Sequence, residues 1–241
     1  NVDTFFGDQQ VHRNVNLVVP KGKITVVVGP SGVGKTVLLR YILGLSRPTA
    51  GHIYIDGEDI VAMSYERLQQ VRRRFGVVFQ GSALFDSMTV FENVALPLRE
   101  KTQLDEDEIS YHVHSKLNAV GVPNASFKYP VQLSGGMQRR VALARALIRD
   151  PEIILFDEPT TGLDPDTKYN IYELFQKTHN EIGYTAIMVS HDIPKIFKIA
   201  HRIAAMHDTK LEDGIEPTNI EKSDNPWLHK VMSHEAQGAH L

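Results

Sequence analysis

The sequence contains no cysteine. Disulfides and thiolate metal sites are therefore excluded, and the composition fits a reducing cytosol. No apolar run approaches the ~18–20 residues that a membrane-spanning helix needs. Neither sign of charge dominates, since 26 Lys and Arg face 29 Asp and Glu. Without a strong basic field, nucleic acid is not an expected partner. Internal repeats and low-complexity linkers are also missing. The chain starts at Asn1 rather than methionine, which leaves a preceding targeting segment open. Its 241 residues suffice for one large α/β domain or two small ones. A soluble α/β protein is the expectation.

What is present centres on residues 24–36, ITVVVGPSGVGKT. Ile24 to Val28 read as a short strand buried on both faces. The run breaks at Gly29, and Gly29, Pro30, Ser31, Gly32, Val33, Gly34, Lys35 and Thr36 fit the pattern G-x-x-x-x-G-K-[ST]. A glycine-rich turn can wrap its backbone N–H groups around phosphate oxygens because no Cβ blocks the approach. The following helix points its positive N-terminal end at the same place. Lys35 can then reach the β- and γ-phosphates, and the Thr36 hydroxyl can ligate Mg²⁺. Chance produces this pattern in roughly 1% of chains of this length, and the flanking strand and helix lower that further. Residues 29–36 are read as a phosphate-binding loop.

Ahead of the loop, residues 11–19 alternate apolar and polar, as a strand does. Phe5 and Phe6 precede Gly7, and by spacing alone they read as core aromatics. Beyond the loop helix, residues 52–55 read as a strand and 64–74 as a helix. Arg72, Arg73 and Arg74 fall in the last turn of that helix, where a solvated, dipole-favoured end is expected. FGVVFQ reads as a buried strand finishing on Gln80, at the kind of strand end where α/β sites lie.

The pattern then turns helical. Thr89 with Glu92, and Asp105 with Glu108, fit capping boxes, and Pro97 is expected to end or kink the first of these helices. His112 and His114 lack metal-ligand spacing. In LSGGM, Ser134, Gly135 and Gly136 open a long helix whose exposed N–H groups make a second anion-ready end. EIILFDEP is a further buried strand ending in two carboxylates, of which Asp157 suits Mg²⁺ support and Glu158 the activation of water. TAIMVSHD is another strand, with His191 just past its end.

The order of these motifs resembles the ATP-binding cassette ATPases over nearly the whole chain. That resemblance implies an α/β fold: a P-loop, RecA-like core with an antiparallel β region and an inserted helical subdomain. Residues 1–82 and 149–241 would form the core, and 83–148 the helical signature subdomain. It implies ATP and Mg²⁺ as ligands, with Phe6 stacking on adenine. Gln80 would contact Mg²⁺ and the attacking water and begin the segment facing a membrane subunit. Asp157 would support Mg²⁺, Glu158 would be the general base and His191 would contact the γ-phosphate. Ser134 to Gly136 would grip ATP held by a second copy of the chain, and Asp164, in the TGLD turn, would couple the two sites.

A narrower resemblance lies in FQGSALFDSMTVFENVALPLREKTQL with LSGGMQRR. This looks like the ATPase subunit of bacterial Mla-type lipid transporters, in which methionine at the position of Met137 is common. It implies transmembrane permease subunits, lipid-binding accessory subunits, and a peripheral place on the cytoplasmic side of the bacterial inner membrane. The competing readings are an importer of amino acids or small solutes, a soluble cassette ATPase acting on ribosomes or DNA, and a module signalling during cell division. The soluble reading predicts two cassettes in one chain, a coiled-coil insertion or a basic surface, and the sequence has none of these.

Overall fold

The computed structural model describes residues 1–238. It divides into two compact units, one built from residues 1–74 with the chain from Thr185 onward, the other from residues 75–184.

Along the chain, strands β1 (Val2–Phe6), β2 (Gln9–Val15) and β3 (Ile24–Val28) lead to helix α1 (Lys35–Ile42). A two-residue hairpin, β4 (Tyr54–Ile55) with β5 (Glu58–Asp59), and helix α2 (Tyr65–Arg72) follow. The second unit runs β6 (Phe75–Val78), α3 (Val90–Lys101), α4 (Glu106–Ala119), α5 (Gly135–Leu147), β7 (Ile153–Asp157) and α6 (Pro165–Ile182). The chain returns to the first unit as β8 (Thr185–Ser190), β9 (Arg202–His207), β10 (Lys210–Ile215) and α7 (Pro226–Gly238).

In the first unit the strand order is β10–β9–β3–β8. β3 pairs parallel on both sides, with Ile24 opposite Ala186 and Thr25 opposite Arg202. All five of its residues are buried, which is why it reads as an unbroken β-branched and apolar run rather than an alternating one. β1 and β2 form an antiparallel hairpin with Thr4 opposite His12. Its inward residues Val2 and Val15 pack with Leu38 and Tyr41 of α1 and Met206 of β9.

Three local expectations differ from the structure here. The strand expected over 52–55 shrinks to Tyr54–Ile55. Phe6 is 57% exposed, so it is not a core aromatic. The arginines at the end of α2 are not simply solvated. Arg72 donates through Nε to the Leu43 carbonyl at 3.0 Å and through Nη2 to the Gly44 carbonyl, satisfying backbone acceptors at the end of α1. Arg74 pairs with Asp56.

In the second unit β6 and β7 pair in parallel, Phe75 opposite Ile153 through Val78 opposite Phe156. Phe156 packs against Phe175 of α6 at a 4.6 Å ring separation. Both capping boxes form, at Thr89–Glu92 and Asp105–Glu108. Pro97 lies inside α3 and does not end it, since the helix continues to Lys101.

Candidate functional site

The phosphate loop hangs from the end of β3. At Gly29 a Cβ would sit 2.4 Å from the Met206 carbonyl oxygen, so only glycine lets the loop leave the sheet this close to β9. At Gly34, φ is 108° and a Cβ would meet both His12 Nε2 and Val11 Cγ1 at 2.7 Å. Gly34 is the N-cap of α1, yet no side chain caps that end and the first turn holds no acid. The amides of the first turn thus have no side-chain competitor for an anion, and the loop fits a phosphate group. Lys35 is buried inside the loop, its Nζ donating to the carbonyls of Gly29 at 2.8 Å and Pro30 at 3.0 Å. Thr36 follows it in the same turn.

His191 belongs to this unit as well. Val28 and Ser190 are the last pair between β3 and β8, so Gly29 and His191 each stand one residue past the same rung. Phe6, at the end of β1, presents an exposed ring.

A residue that sequence reasoning passed over lies directly behind the loop. His12 is fully buried, its Nδ1 2.9 Å from Thr4 Oγ1 and its Nε2 3.1 Å from the Gly34 carbonyl. A carbonyl only accepts, so Nε2 carries the proton and Nδ1 accepts from the threonine hydroxyl. Burial pushes the imidazole below its ordinary pKa, and the Gly34 carbonyl opposes this in part. In the sequence His12 occupies one position of an alternating strand, and nothing there distinguishes it from an outward polar residue.

The second unit gathers the other candidates into two groups. Val78 and Phe156 end the parallel pairing of β6 and β7. Gln80 and Glu158 therefore each lie two residues past one rung, and Asp157 ends β7 between them in sequence. Gln80 is in the turn after the strand rather than its last residue. Glu158 adopts φ 47°, a conformation that costs a non-glycine residue about 1–3 kcal/mol. Its Oε2 accepts from Thr161 Oγ1 at 3.3 Å.

The second group is the start of α5 with the start of α6. Ser134 caps α5 by accepting from the Met137 amide at 3.3 Å. Cβ atoms at Gly135 and Gly136 would meet Leu163 at 2.9 Å and Thr167 at 2.7 Å. Asp164 caps α6, accepting from the Thr167 amide at 3.0 Å. The hydrogen bonds from Thr167 hold its carboxyl below the usual carboxylate range. Ser134, Gly135, Gly136 and Asp164 thus form one surface, as two helix N-termini packed through small residues.

Two arginines of α5 also escaped the sequence reading. Arg139 is buried and donates to the Pro159 carbonyl, the Thr161 carbonyl and Ser82 Oγ. Arg145 donates to the carbonyls of Ser82 and Ala83. Burial lowers the pKa of both guanidinium groups. Within RRVALAR they look like any helical cations, because burial at that spacing is decided by the loops that cover them.

Among the described residues, no group of three or more His, Cys, Asp or Glu side chains could hold a metal ion. Thr36 in the first unit and Asp157 in the second each carry an oxygen donor of the type that Mg²⁺ takes.

The family model described as ABC transporter matches residues 12–161. The Escherichia coli (strain K12) intermembrane phospholipid transport system ATP-binding protein MlaF is 43% identical over 232 residues, covering 96% of this chain and 86% of that one. The Mycobacterium tuberculosis (strain H37Rv) probable ribonucleotide transport ATP-binding protein mkl is 45% identical over 188 residues, covering 78% of this chain and 52% of its own. Among solved structures, the dimeric post-hydrolysis state of the ATP-binding cassette MJ0796, bound to ADP and Pi, superposes with a TM-score of 0.80. It is 35% identical, covering 90% of this chain and 97% of that one.

Proposed function

The chain belongs to the ABC transporter family, and we propose that within it the protein is the ATP-hydrolysing subunit of a transporter that moves phospholipid at the bacterial inner membrane. The observation that carries this reading is the breadth of the likeness to MlaF, whose name specifies phospholipid transport and whose identity extends over 96% of the chain. A transporter of small solutes is the second reading. It is favoured by mkl, named for ribonucleotides, at a similar 45% identity but over 78% of the chain.

In this reading residues 1–82 and 149–241 form the nucleotide-binding core, and residues 83–148 the helical signature subdomain. Phe6 stacks on the adenine of ATP. The amides of Gly29 to Gly34 and the ammonium of Lys35 bind the phosphates, with no side-chain cap on α1 to compete. Thr36, Gln80 and Asp157 would hold Mg²⁺, which would supply charge neutralisation at the phosphate oxygens. Glu158 takes a proton from water as the water oxygen bonds to the γ-phosphorus. The bond from that phosphorus to the β–γ bridging oxygen breaks, and ADP leaves with the electron pair. His191 contacts the γ-phosphate and steadies the transferred group.

One chain carries one phosphate loop and one Ser134–Gly136 helix end. A two-fold pair of chains lets each present that end to the ATP of the other, with Asp164 linking the two sites. Transmembrane permease subunits and lipid-binding accessory subunits complete the assembly. No described helix is long and apolar enough to cross a membrane, so in this reading the chain sits peripherally on the cytoplasmic face, through the permease.

The test is to purify the chain with the membrane subunits that accompany it and reconstitute the complex in vesicles. ATP-dependent transfer of a fluorescent phospholipid to acceptor vesicles is the expected result, abolished by Glu158→Gln. ATP hydrolysis stimulated by a small solute, without lipid transfer, would replace this reading with the second.

A further inference from the structure

Arg139 joins two segments that the proposed function uses separately. One is the strap after Gln80, where Ser82 and Ala83 adopt φ values of 71° and 47°. The other is the turn after β7, where Glu158 adopts φ 47°. Neither segment has glycine at these three positions, and left-handed backbone at such residues persists only where surrounding groups over-determine it. Helix α5 supplies such groups to both segments. Arg139 reaches the Glu158 turn through Nε to the Pro159 carbonyl at 2.8 Å and Nη2 to the Thr161 carbonyl at 3.0 Å. Its third nitrogen, Nη1, donates to Ser82 Oγ in the strap. Arg145 holds the same strap through the Ser82 carbonyl at 2.9 Å and the Ala83 carbonyl at 2.7 Å.

We propose that Arg139 is a positioning residue for Glu158, fixing the carboxylate through the Pro159–Thr161 backbone and tying that placement to the strap that follows Gln80. The geometry explains why the residue is arginine. Three acceptors from two segments converge on one planar group, which presents its N–H donors in fixed directions, whereas a lysine ammonium has three donors on a single atom and cannot span them. The last link is short: Arg139 holds the Thr161 carbonyl, and the Thr161 hydroxyl donates to Glu158 Oε2 at 3.3 Å. A displacement of the strap therefore pulls on the base through one rigid guanidinium, without a change at the phosphate loop. Arg139 itself touches neither water nor nucleotide in this scheme.

The inference rests on the reading of Glu158 as the general base, so the experiment varies both residues. Arg139→Lys keeps charge and most of the volume. It is made in the full chain, alone and with Glu158→Gln, and ATP affinity and single-turnover hydrolysis are measured. A misplaced base should slow hydrolysis roughly 10–100-fold with the ATP Kd within about twofold of wild type. In the Glu158→Gln background the same change should cost less than about threefold, because the group being positioned is already gone. Thr161→Val leaves the arginine in place and tests the last link. It should slow hydrolysis about 3–10-fold, again with affinity retained. A wild-type rate in Arg139→Lys or Thr161→Val, or an equal loss in both backgrounds, overturns the proposal. If Glu158→Gln alone hydrolyses ATP at the wild-type rate, the general-base assignment falls first and this inference falls with it.

Discussion

Replacing His12 with leucine separates the cost of a cavity from the cost of an orphaned hydroxyl, because the side chains are close in size. His12 is fully buried and joins Thr4 Oγ1 to the Gly34 carbonyl. Leucine breaks both bonds, but their consequences differ. The Gly34 carbonyl keeps the Leu38 amide at 3.0 Å, so that loss is worth about 0.5–1.5 kcal/mol. The Thr4 hydroxyl is 1% exposed and loses its acceptor, which costs about 1–3 kcal/mol. The sum is ~1.5–4.5 kcal/mol, a large part of the ~5–15 kcal/mol that holds a domain together. Urea unfolding can be followed by fluorescence of Trp227, the sole tryptophan, which lies in α7 of the same unit. The midpoint should fall with little change in slope. Adding Thr4→Val removes the orphaned hydroxyl, so the double variant should be about 1–2 kcal/mol more stable than the sum of the single effects. Strict additivity, or a His12→Leu midpoint equal to wild type, would refute the argument that this hydrogen-bonded pair stabilises the hairpin behind the loop.

Other expectations follow from the same geometry. Because burial lowers the His12 pKa below its ordinary 6.5, the unfolded chain binds that proton more readily. The stabilisation is then fully present above pH 6.5 and is lost as pH falls through the folded-state value, so wild-type protein should lose more stability than His12→Leu between pH 7.5 and 5; parallel pH curves would contradict this. Lys35→Ala should weaken ATP binding about 10–100-fold, from charge-assisted bonds of ~1.5–3 kcal/mol each; calorimetry showing unchanged affinity would remove Lys35 from the phosphates. With MgATP, Glu158→Gln should persist as a dimer by light scattering and Ser134→Arg should abolish that dimer; a dimer surviving Ser134→Arg would rule out the shared site. Leu84 is half-buried and Phe85 is 51% exposed after the Gln80 strap, so replacing both with serine should uncouple hydrolysis from transport in the reconstituted complex, and normal transport would place the permease contact elsewhere.

The legible features in the sequence were those with a local cause. Thr89 with Glu92, Asp105 with Glu108, and Ser134 ahead of Met137 cap helices through groups three residues apart, so the chain spells them directly. The phosphate loop is legible as a contiguous pattern, although two of its glycines answer to distant neighbours, Gly29 to Met206 and Gly34 to His12. What stayed hidden depends on segments far away along the chain. Arg72 completes the end of α1 across 28–29 residues, and Arg139 meets Ser82 across 57. Such arginines have the composition of a solvated helix face and find their partners only when a distant segment folds against them. Of the two outcomes expected at Pro97, the helix does not end there: α3 runs on to Lys101, with Val94 and Leu98 buried on either side of the proline. Phe6, at the end of β1, looks like core by spacing alone, and its ring is exposed; only the family resemblance points to an outward-facing role.

The double parallel pairing of β3 also carries a consequence for biosynthesis. Ile24 lies opposite Ala186 and Thr25 opposite Arg202, so the strand that carries the phosphate loop has no sheet partner in the first half of the chain. A ribosome adding ~5–20 residues per second needs roughly 10–30 s between making that strand and making its neighbours. During this interval a five-residue stretch of β-branched side chains, ITVVV, has both edges open and resembles the segments that seed intermolecular pairing. Meanwhile residues 75–184 are contiguous in sequence, and can collapse as they emerge. Slow translation should therefore burden the N-terminal segment more than the inserted one, and a chaperone that shields short apolar strands should be found on nascent chains that end between residues 60 and 185.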